Sequence, residues 1–122
     1  MPGFNVDFFR REDGSRPVQE FLDSLDEKNR AKLLRSVALL EEYGPQLREP
    51  YSKPLGDGIF ELRAQQGNDI LRALYFFFVG RQIILTNGFV KKTKKTPRSE
   101  IALAKKYRRE YLMRKEKHDE RL

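Results

Sequence analysis

Two arginines and a run of lysines are the residues of this chain best suited to chemistry. The stretch 88–97 (GFVKKTKKTP) leads from an apolar strand candidate to a predicted helix, and residues 91–97 are called the lysine loop below. Its charged residues are Lys91, Lys92, Lys94 and Lys95. Like charges at this density repel one another, so one interpretation is an anion opposite the loop and the other is a solvated loop. Free amides at the start of the following helix would add to the attraction for an anion.

Arg72 is the one charge in an otherwise apolar strand candidate, residues 70–79. An unpaired buried guanidinium is costly, so Arg72 must reach the sheet surface or pair with a carboxylate such as Glu61. Its planar donors also suit a phosphate clamp. Arg63 ends the preceding strand candidate and could share that surface, or it could be a solvated strand-end charge. Both interpretations stay open for each arginine.

The remaining composition excludes several catalytic mechanisms. The single histidine, His118, lies in a charged terminal stretch, which rules out a two-histidine ribonuclease and a histidine metal centre. The chain has no cysteine, so it has neither disulfides nor thiolate metal sites. Its carboxylates lack the spacing of metal ligands, and it has no phosphate-cradling glycine motif or evident nucleophile–base pair. We therefore expect no metal and no cofactor.

Positive charge is concentrated in the last quarter of the 122-residue chain. Residues 89–122 contain 13 Lys/Arg and 5 Asp/Glu, whereas residues 1–88 contain 12 and 13. A localised anionic partner explains this asymmetry, with nucleic acid first and an acidic protein second, and a solvated lysine-rich helix explains it equally well. The chain shows no secretory pattern, and its longest apolar run, residues 74–79, is too short for a membrane span. We expect a cytoplasmic protein with no membrane contact.

The elements that must position these residues begin with two predicted helices. Pro17, with Ser15 before it, marks the start of the first helix. Asp26 can cap the second, which ends at Gly44-Pro45. The predicted apolar stripes are Val18, Phe21, Leu22 and Leu25 for the first helix and Ala31, Leu34, Val37, Ala38 and Leu40 for the second.

Strands and a final helix complete the predicted fold. Strand candidates are residues 4–8, 59–63, 70–79 and 82–89, with residues 45–58 as a loop. Thr96 is predicted to cap the last helix, whose stripe comprises Ile101, Leu103, Ala104, Tyr107 and Tyr111. The order βααβββα predicts an α+β domain in which helices pack on one face of a small antiparallel sheet. We expect one domain over residues 1–112 and a charged tail over 113–122, of which residues 114–122 are expected to be frayed.

A series of motifs resembles a known family. The segments 17–22 (PVQEFL), 55–63 (LGDGIFELR), 72–75 (RALY) and 88–97 (GFVKKTKKTP) resemble the RelE/ParE toxin superfamily, in particular its phage-derived, HigB-like branch. The resemblance covers roughly residues 4–112. It implies the toxin of a type II toxin–antitoxin pair, a metal-independent endoribonuclease that cleaves mRNA on the ribosome and inhibits translation. It also implies a helix-turn-helix, HigA-like antitoxin as partner.

The resemblance also implies roles for individual residues. Arg72 matches the strand arginine that contacts the scissile phosphate, and Arg63 is a second phosphate contact. Lys91 and Lys92 match the basic residue that stabilises transition-state charge, and Lys92 is the catalytic candidate of the two. The four loop lysines, Lys91, Lys92, Lys94 and Lys95, are the candidate RNA-binding residues, forming one wall of a groove opposite the arginines.

Two departures from the family pattern leave the general base unassigned. The RelE branch has a lysine where this chain has Glu61, and the family's C-terminal tyrosine base has no counterpart near residues 97–100. Tyr107 and Tyr111 lie further along and are predicted to be core residues. Two alternatives stay open: a non-catalytic basic module that binds nucleic acid or protein, and a ParE-like toxin that targets gyrase.

Overall fold

The computed structural model describes the backbone of residues 3–121 and the side chains of residues 3–118. In chain order the elements are β1 (Asn5–Phe8), α1 (Pro17–Ser24), α2 (Glu27–Tyr43), a short 3-10 helix (Gly44–Gln46), β2 (Ser52–Gly56), β3 (Ile59–Gln66), β4 (Asp69–Phe77), β5 (Gln82–Val90) and α3 (Arg98–Arg121). In this part of the chain, each helix is too short or too polar to span a bilayer.

The strands form one mixed sheet in the order β1-β5-β4-β3-β2. β1 runs parallel to β5, whereas the other neighbouring strands are antiparallel. The prediction of an α+β domain is confirmed, but the sheet is not purely antiparallel as predicted. Parallel neighbours need a long crossover, and α1, α2 and three strands separate β1 from β5. Local alternation of residues carries no information about that pairing.

β2 is a strand where the sequence predicted a loop, so the observed order is βααββββα. Pro54 and Gly56 weaken a strand interior but are tolerated at the edge of a sheet, which is where β2 lies. Asp57 and Gly58 have φ values of 55° and 80°, which suits the two-residue turn from β2 to β3. The pairing of β2 with β3 also places Lys53 directly opposite Glu61.

Different helices cover the two faces of the sheet. α1 and α2 pack together on one face, where Leu22 and Leu33 meet Leu62 of β3. α3 packs on the opposite face, where Ala104 meets Ile84 of β5. Both faces are apolar because successive strand residues point to opposite sides and both sides carry large side chains here. The predicted packing of helices on one face of the sheet thus holds for α1 and α2. α3 covers the other face, so the domain has three layers, with the sheet in the middle.

The core-facing stripe of α2 is shifted from the predicted one. Leu34 is 43% exposed, and the fully buried leucine is Leu33. Ser36 is buried too, because its hydroxyl donates to the backbone oxygen of Arg63 at 2.9 Å. Sequence patterns assign serine to the surface, so this contact was missed. Of the other residues in the predicted stripe, Val37 and Leu40 are buried, whereas Ala31 and Ala38 are exposed.

Local signals set most helix ends. Asp26 caps α2, as predicted, by accepting a backbone amide at 2.8 Å, and Gly44 follows the last residue of that helix. Pro17 is the first residue of α1. Ser15 does not cap α1, since its hydroxyl donates to Asp13 Oδ1 at 2.6 Å. The predicted stripe of α1 is confirmed as core or core-packed: Val18, Phe21, Leu22 and Leu25.

α3 differs from its prediction at both ends. It begins at Arg98, and the hydroxyl of Thr96 donates to Glu61 rather than capping the helix. It continues to Arg121, so most of the predicted tail, residues 113–122, is helical instead of frayed. The domain boundary at residue 112 stays a prediction. The predicted apolar stripe is confirmed in the core against the sheet: Ile101, Leu103, Ala104, Tyr107 and Tyr111.

Candidate nucleic-acid interface

Arg63 and Arg72 lie side by side on neighbouring strands. They are register partners in the antiparallel β3–β4 pair, and directly opposed residues of such a pair project from the same face. Their side chains are 19% and 11% exposed, so both guanidinium groups are mostly but not completely covered. The structure thus brings together the two arginines that the sequence predicted could share a surface.

A fully buried carboxylate, that of Glu61, holds this pair. Arg63 Nε donates to Glu61 Oε1 at 3.0 Å. Arg72 Nε lies 3.3 Å from the same oxygen, an ion pair whose angle does not make it a hydrogen bond. The hydroxyl of Thr96 donates to the second oxygen, Oε2. The Glu61–Arg72 pair considered from the sequence is therefore present, and two further donors share the carboxylate.

The charges around Glu61 leave the cluster with positive character. Burial lowers the pKa of Arg72, Glu61 opposes that effect, and the neighbouring Arg63 lowers the pKa again. A guanidinium nevertheless stays protonated in proteins, so the net effect is a desolvated cation only partly compensated by one shared carboxylate. A phosphate oxygen can accept charge-assisted hydrogen bonds from such donors.

Contacts at both ends fix the lysine loop beside this cluster. The Thr96 hydroxyl ties the end of the loop to Glu61 on β3. At the start of the loop, the Lys91 amide donates to the backbone oxygen of Ile70 at 2.8 Å, which extends the β4–β5 ladder by one bond. Asn87 Nδ2 donates to Glu100 Oε1 at 2.9 Å and so holds the first turn of α3 on β5. The loop therefore has defined anchors on two strands and a helix.

Lys91 is the loop lysine that joins the arginines. Arg72 pairs with Phe89 across the β4–β5 register, and a residue two positions further along a strand points to the same face. Burial lowers the pKa of Lys91, Glu61 raises it, and Arg72, Arg63 and Lys53 lower it. The ammonium group of Lys91 therefore interacts electrostatically with the charges of the arginine cluster.

The other three loop lysines are exposed. Among the side chains of residues 3–118, none of the ion pairs involves Lys92, Lys94 or Lys95. Lys92, predicted as the catalytic lysine, follows Lys91 and therefore points away from the arginine face if the extended backbone continues. Its catalytic role stays a prediction, and the structure groups Lys91 with the arginines.

Two residues of this region were missed from the sequence. Lys53 on β2 is the register partner of Glu61, and it was missed because β2 was read as loop. The Asp57-Gly58 dipeptide before the strand candidate at Ile59 could have revealed it, since that dipeptide is a hairpin signal. Glu49 Oε1 lies 3.3 Å from Arg63 Nη1. No local pattern indicates that contact, because it depends on how the loop before β2 folds back.

A pocket of about 310 Å³ opens next to the two arginines. It lies between α2 and the end of β3 that extends beyond the pairing with β2. Its walls include Lys32, Pro50, Tyr51, Arg63, Gln65 and Arg72. The arginines therefore border both the lysine loop and a recess large enough for part of a small molecule or polymer.

Comparison with known proteins places the chain in a family. The family described as Phage derived protein Gp49-like (DUF891) matches residues 20–109. The chain belongs to this family. It is a RelE-like toxin family, which confirms the coarser part of the predicted relationship. No curated protein matches the chain.

The family match covers all parts of the site in this Gp49-like chain. Residues 20–109 include the arginine pair, Glu61, the lysine loop and all the pocket residues named above. Among the side chains of residues 3–118, no three His, Asp or Glu residues gather as potential metal ligands. His118 lines a different pocket, of about 400 Å³, together with Asp7 of β1. The candidate site of this Gp49-like protein, as described above, consists of cations around one buried carboxylate.

Proposed function

We propose that this protein is the toxin of a type II toxin–antitoxin pair, on the HigB-like branch, and that it cleaves mRNA on the ribosome without a metal ion. One observation carries the proposal: Arg63 and Arg72 are register partners held by one buried carboxylate, with Lys91 beside them. Membership of a RelE-like toxin family supports the toxin assignment. The concentration of cations on one face supports an anionic polymer as the substrate.

In the proposed reaction the 2′-hydroxyl of one nucleotide attacks the adjacent phosphate, and the 5′-oxygen of the next nucleotide leaves. The pentacoordinate transition state carries extra negative charge on the phosphate oxygens. Arg63 and Arg72 donate hydrogen bonds to those oxygens from fixed positions, which stabilises the transition state more than the substrate. Glu61 contributes indirectly, because it holds the Nε side of both guanidinium groups. Arg63 Nη1 also donates to Glu49 and Arg72 Nη1 to the Leu71 backbone oxygen, so the Nη2 groups are the donors that we propose face RNA.

Proton transfer is shared between this chain and its surroundings in the proposed mechanism. Lys91 is the proposed donor of a proton to the leaving 5′-oxygen, because it lies on the arginine face and burial lowers the pKa of its ammonium group below the ordinary value. Glu61 is not suited as the base that activates the 2′-hydroxyl, because it is fully buried and both oxygens are already occupied. No base is assigned on this chain, so the proposed mechanism passes the 2′-hydroxyl proton to a group or water of the ribosomal A site, which also orients the attacking hydroxyl.

The proposed partners follow from the same assignment. The substrate is mRNA in the ribosomal A site, and a helix-turn-helix antitoxin of HigA type neutralises the toxin by direct binding. Co-expression with the product of a neighbouring helix-turn-helix gene should therefore restore growth. If that product leaves the growth arrest unchanged and does not bind the purified toxin, it is not the antitoxin.

Regulated expression in a bacterial host tests the proposal. The wild-type chain should arrest protein synthesis promptly, and cuts in mRNA should map to A-site codons. Arg72→Ala should lower the cleavage rate by about 10²–10³-fold, the usual loss when one transition-state donor is removed. Arg72→Lys should recover only part of the rate, since it keeps the charge but not the planar fork. Arg35→Ala, which removes an exposed arginine of α2, is the matched control and should leave cleavage unchanged.

Other outcomes would favour the competing functions. Normal growth with abundant folded protein would overturn the toxin proposal in favour of a non-catalytic binding module. DNA damage with intact mRNA would favour a gyrase-targeting toxin. Circular dichroism and thermal unfolding of each variant separate a loss of activity from a loss of fold.

A further inference from the structure

The pocket beside the arginines contains an exposed aromatic ring on a well-anchored backbone. Tyr51 is 45% exposed. Its amide donates to the backbone oxygen of Arg48 at 2.9 Å, and its backbone oxygen accepts from the Arg63 amide at 2.8 Å. Among the described aromatic residues, the stacked and edge-to-face pairs involve other rings and leave Tyr51 unpaired. A half-exposed ring is thus carried next to Arg63 on a backbone that is held by hydrogen bonds.

The charges of the pocket select the kind of ligand. The lining contains the cations Lys32, Arg63 and Arg72 and no carboxylate. Glu61 contacts both arginines but is not part of the pocket wall. The amide of Gln65 lies in the wall and can hydrogen-bond to a polar edge. An aromatic surface, a polar side chain and two phosphate donors within one recess match the face of a base, its hydrogen-bonding edge and an adjoining phosphate.

We propose that this pocket binds one unpaired nucleotide of the RNA substrate, with its base stacked on Tyr51 and an adjoining phosphate on Arg63 and Arg72. The inference rests on the proposed function and adds a base-binding subsite to it. An acidic peptide segment of a protein partner would also meet the cations. Nucleotide is the better match because the exposed ring provides a flat stacking surface next to the phosphate donors, and bases of every sequence can use it.

Cleavage of mRNA on programmed ribosomes by purified protein tests the subsite. Tyr51→Ala should lower kcat/KM by about 5- to 100-fold, the loss expected when one base–aromatic stack is removed. Tyr51→Phe should stay within about twofold of wild type, because stacking does not require the hydroxyl. Tyr43→Ala is the matched control: Tyr43 is also 45% exposed but lies at the end of α2 and does not line this pocket. It should cleave like the wild type.

An abasic nucleotide supplies a second measurement that a general loss of structure would not reproduce. Replacing each A-site nucleotide in turn by an abasic one should identify one position at which wild-type cleavage falls to the level of Tyr51→Ala. At that position Tyr51→Ala should cause no further loss, because the stacked base is already absent. If every abasic nucleotide lowers cleavage by the same factor in Tyr51→Ala as in the wild type, the proposed subsite is wrong.

The remaining outcomes separate this inference from the proposed function. Cleavage that is lost in Arg72→Ala but intact in Tyr51→Ala overturns the base subsite and leaves the ribonuclease standing. No cleavage by the wild-type protein overturns both. Intact cleavage by Tyr51→Ala together with a loss of antitoxin binding overturns the subsite and assigns the pocket to a protein partner.

Discussion

Replacing Glu61 by glutamine removes the charge that two arginines share while nearly preserving the shape of the side chain. In the native protein Glu61 accepts from Arg63 Nε at 3.0 Å, pairs with Arg72 Nε at 3.3 Å and accepts from Thr96. The amide can retain one or two of these hydrogen bonds. It cannot compensate the positive charge of two adjacent guanidinium groups, so the variant should be less stable.

The structure sets the size of the expected loss. Breaking a buried ion pair by removing one partner costs about 3–5 kcal/mol, because the other charge is left uncompensated. The arginine side chains here retain 19% and 11% exposure, and Glu49 still lies 3.3 Å from Arg63. Partial hydration and this second carboxylate reduce the cost, and we expect a loss of about 2–4 kcal/mol in the free energy of unfolding. For a chain of this size that lowers Tm by roughly 10 °C.

Urea denaturation followed by circular dichroism measures this loss, and a double-mutant cycle assigns it to the pair. Arg72→Gln alone should also destabilise, since it leaves Glu61 with one cation fewer. In the double variant Glu61→Gln/Arg72→Gln, both partners of the ion pair are neutral. Its loss should be smaller than the sum of the two single losses by at least about 1 kcal/mol.

Two results would refute this reasoning. If Glu61→Gln unfolds within about 0.5 kcal/mol of wild type, the buried carboxylate does not stabilise the arginine pair. If the losses of the two single variants add within that margin, the 3.3 Å contact between Glu61 and Arg72 carries no coupling energy.

Three further predictions concern the core. Leu33→Ala should lower the free energy of unfolding by about 2–5 kcal/mol, because the side chain is fully buried. Leu34→Ala, at a site that is 43% exposed, should change it by less than about 0.5 kcal/mol. Equal losses for the two variants in urea denaturation would contradict the observed stripe of α2. Gly88→Ala should cost about 1–3 kcal/mol, since its Cβ would lie 2.4 Å from Phe21 Cδ2, and an unchanged denaturation midpoint would contradict that packing. Burial raises the pKa of Tyr75 above its ordinary value of 10.0, so above that pH the unfolded chain loses a proton that the folded chain keeps. Stability should therefore fall as pH rises past about 10, more steeply in wild type than in Tyr75→Phe, and parallel curves of stability against pH would count against this contribution.

Comparison of sequence and structure shows which signals are local. The cap at Asp26 and the end of α2 at Gly44 depend on a few neighbouring residues, and both were predicted correctly. The strands β3, β4 and β5 follow from runs of apolar and β-branched residues, and their ends lie within a few residues of the prediction. The approach of Arg63 to Arg72 then follows once β3 and β4 pair as a hairpin.

The remaining features depend on contacts between residues far apart in the chain. The parallel pairing of β1 with β5 is formed across α1, α2 and three strands, so no local alternation encodes it. Ser36 can be buried because its hydroxyl donates a hydrogen bond to the backbone oxygen of Arg63, a residue far away in the chain. Thr96 resembles a helix cap in sequence, but the buried Glu61 competes successfully for its hydroxyl.

The sequence alone indicates the kinds of groups at the site. It predicted an α+β domain, an arginine within a central strand, a basic loop after the last strand and a RelE-like relationship. The tertiary structure decided how these groups combine. Strand register selects Lys91 as the lysine beside the arginines, an edge strand adds Lys53, and Glu61 becomes the shared acceptor. The physical reason is that side-chain type is a local property, whereas the partner of a charge is set by the register and packing of distant strands.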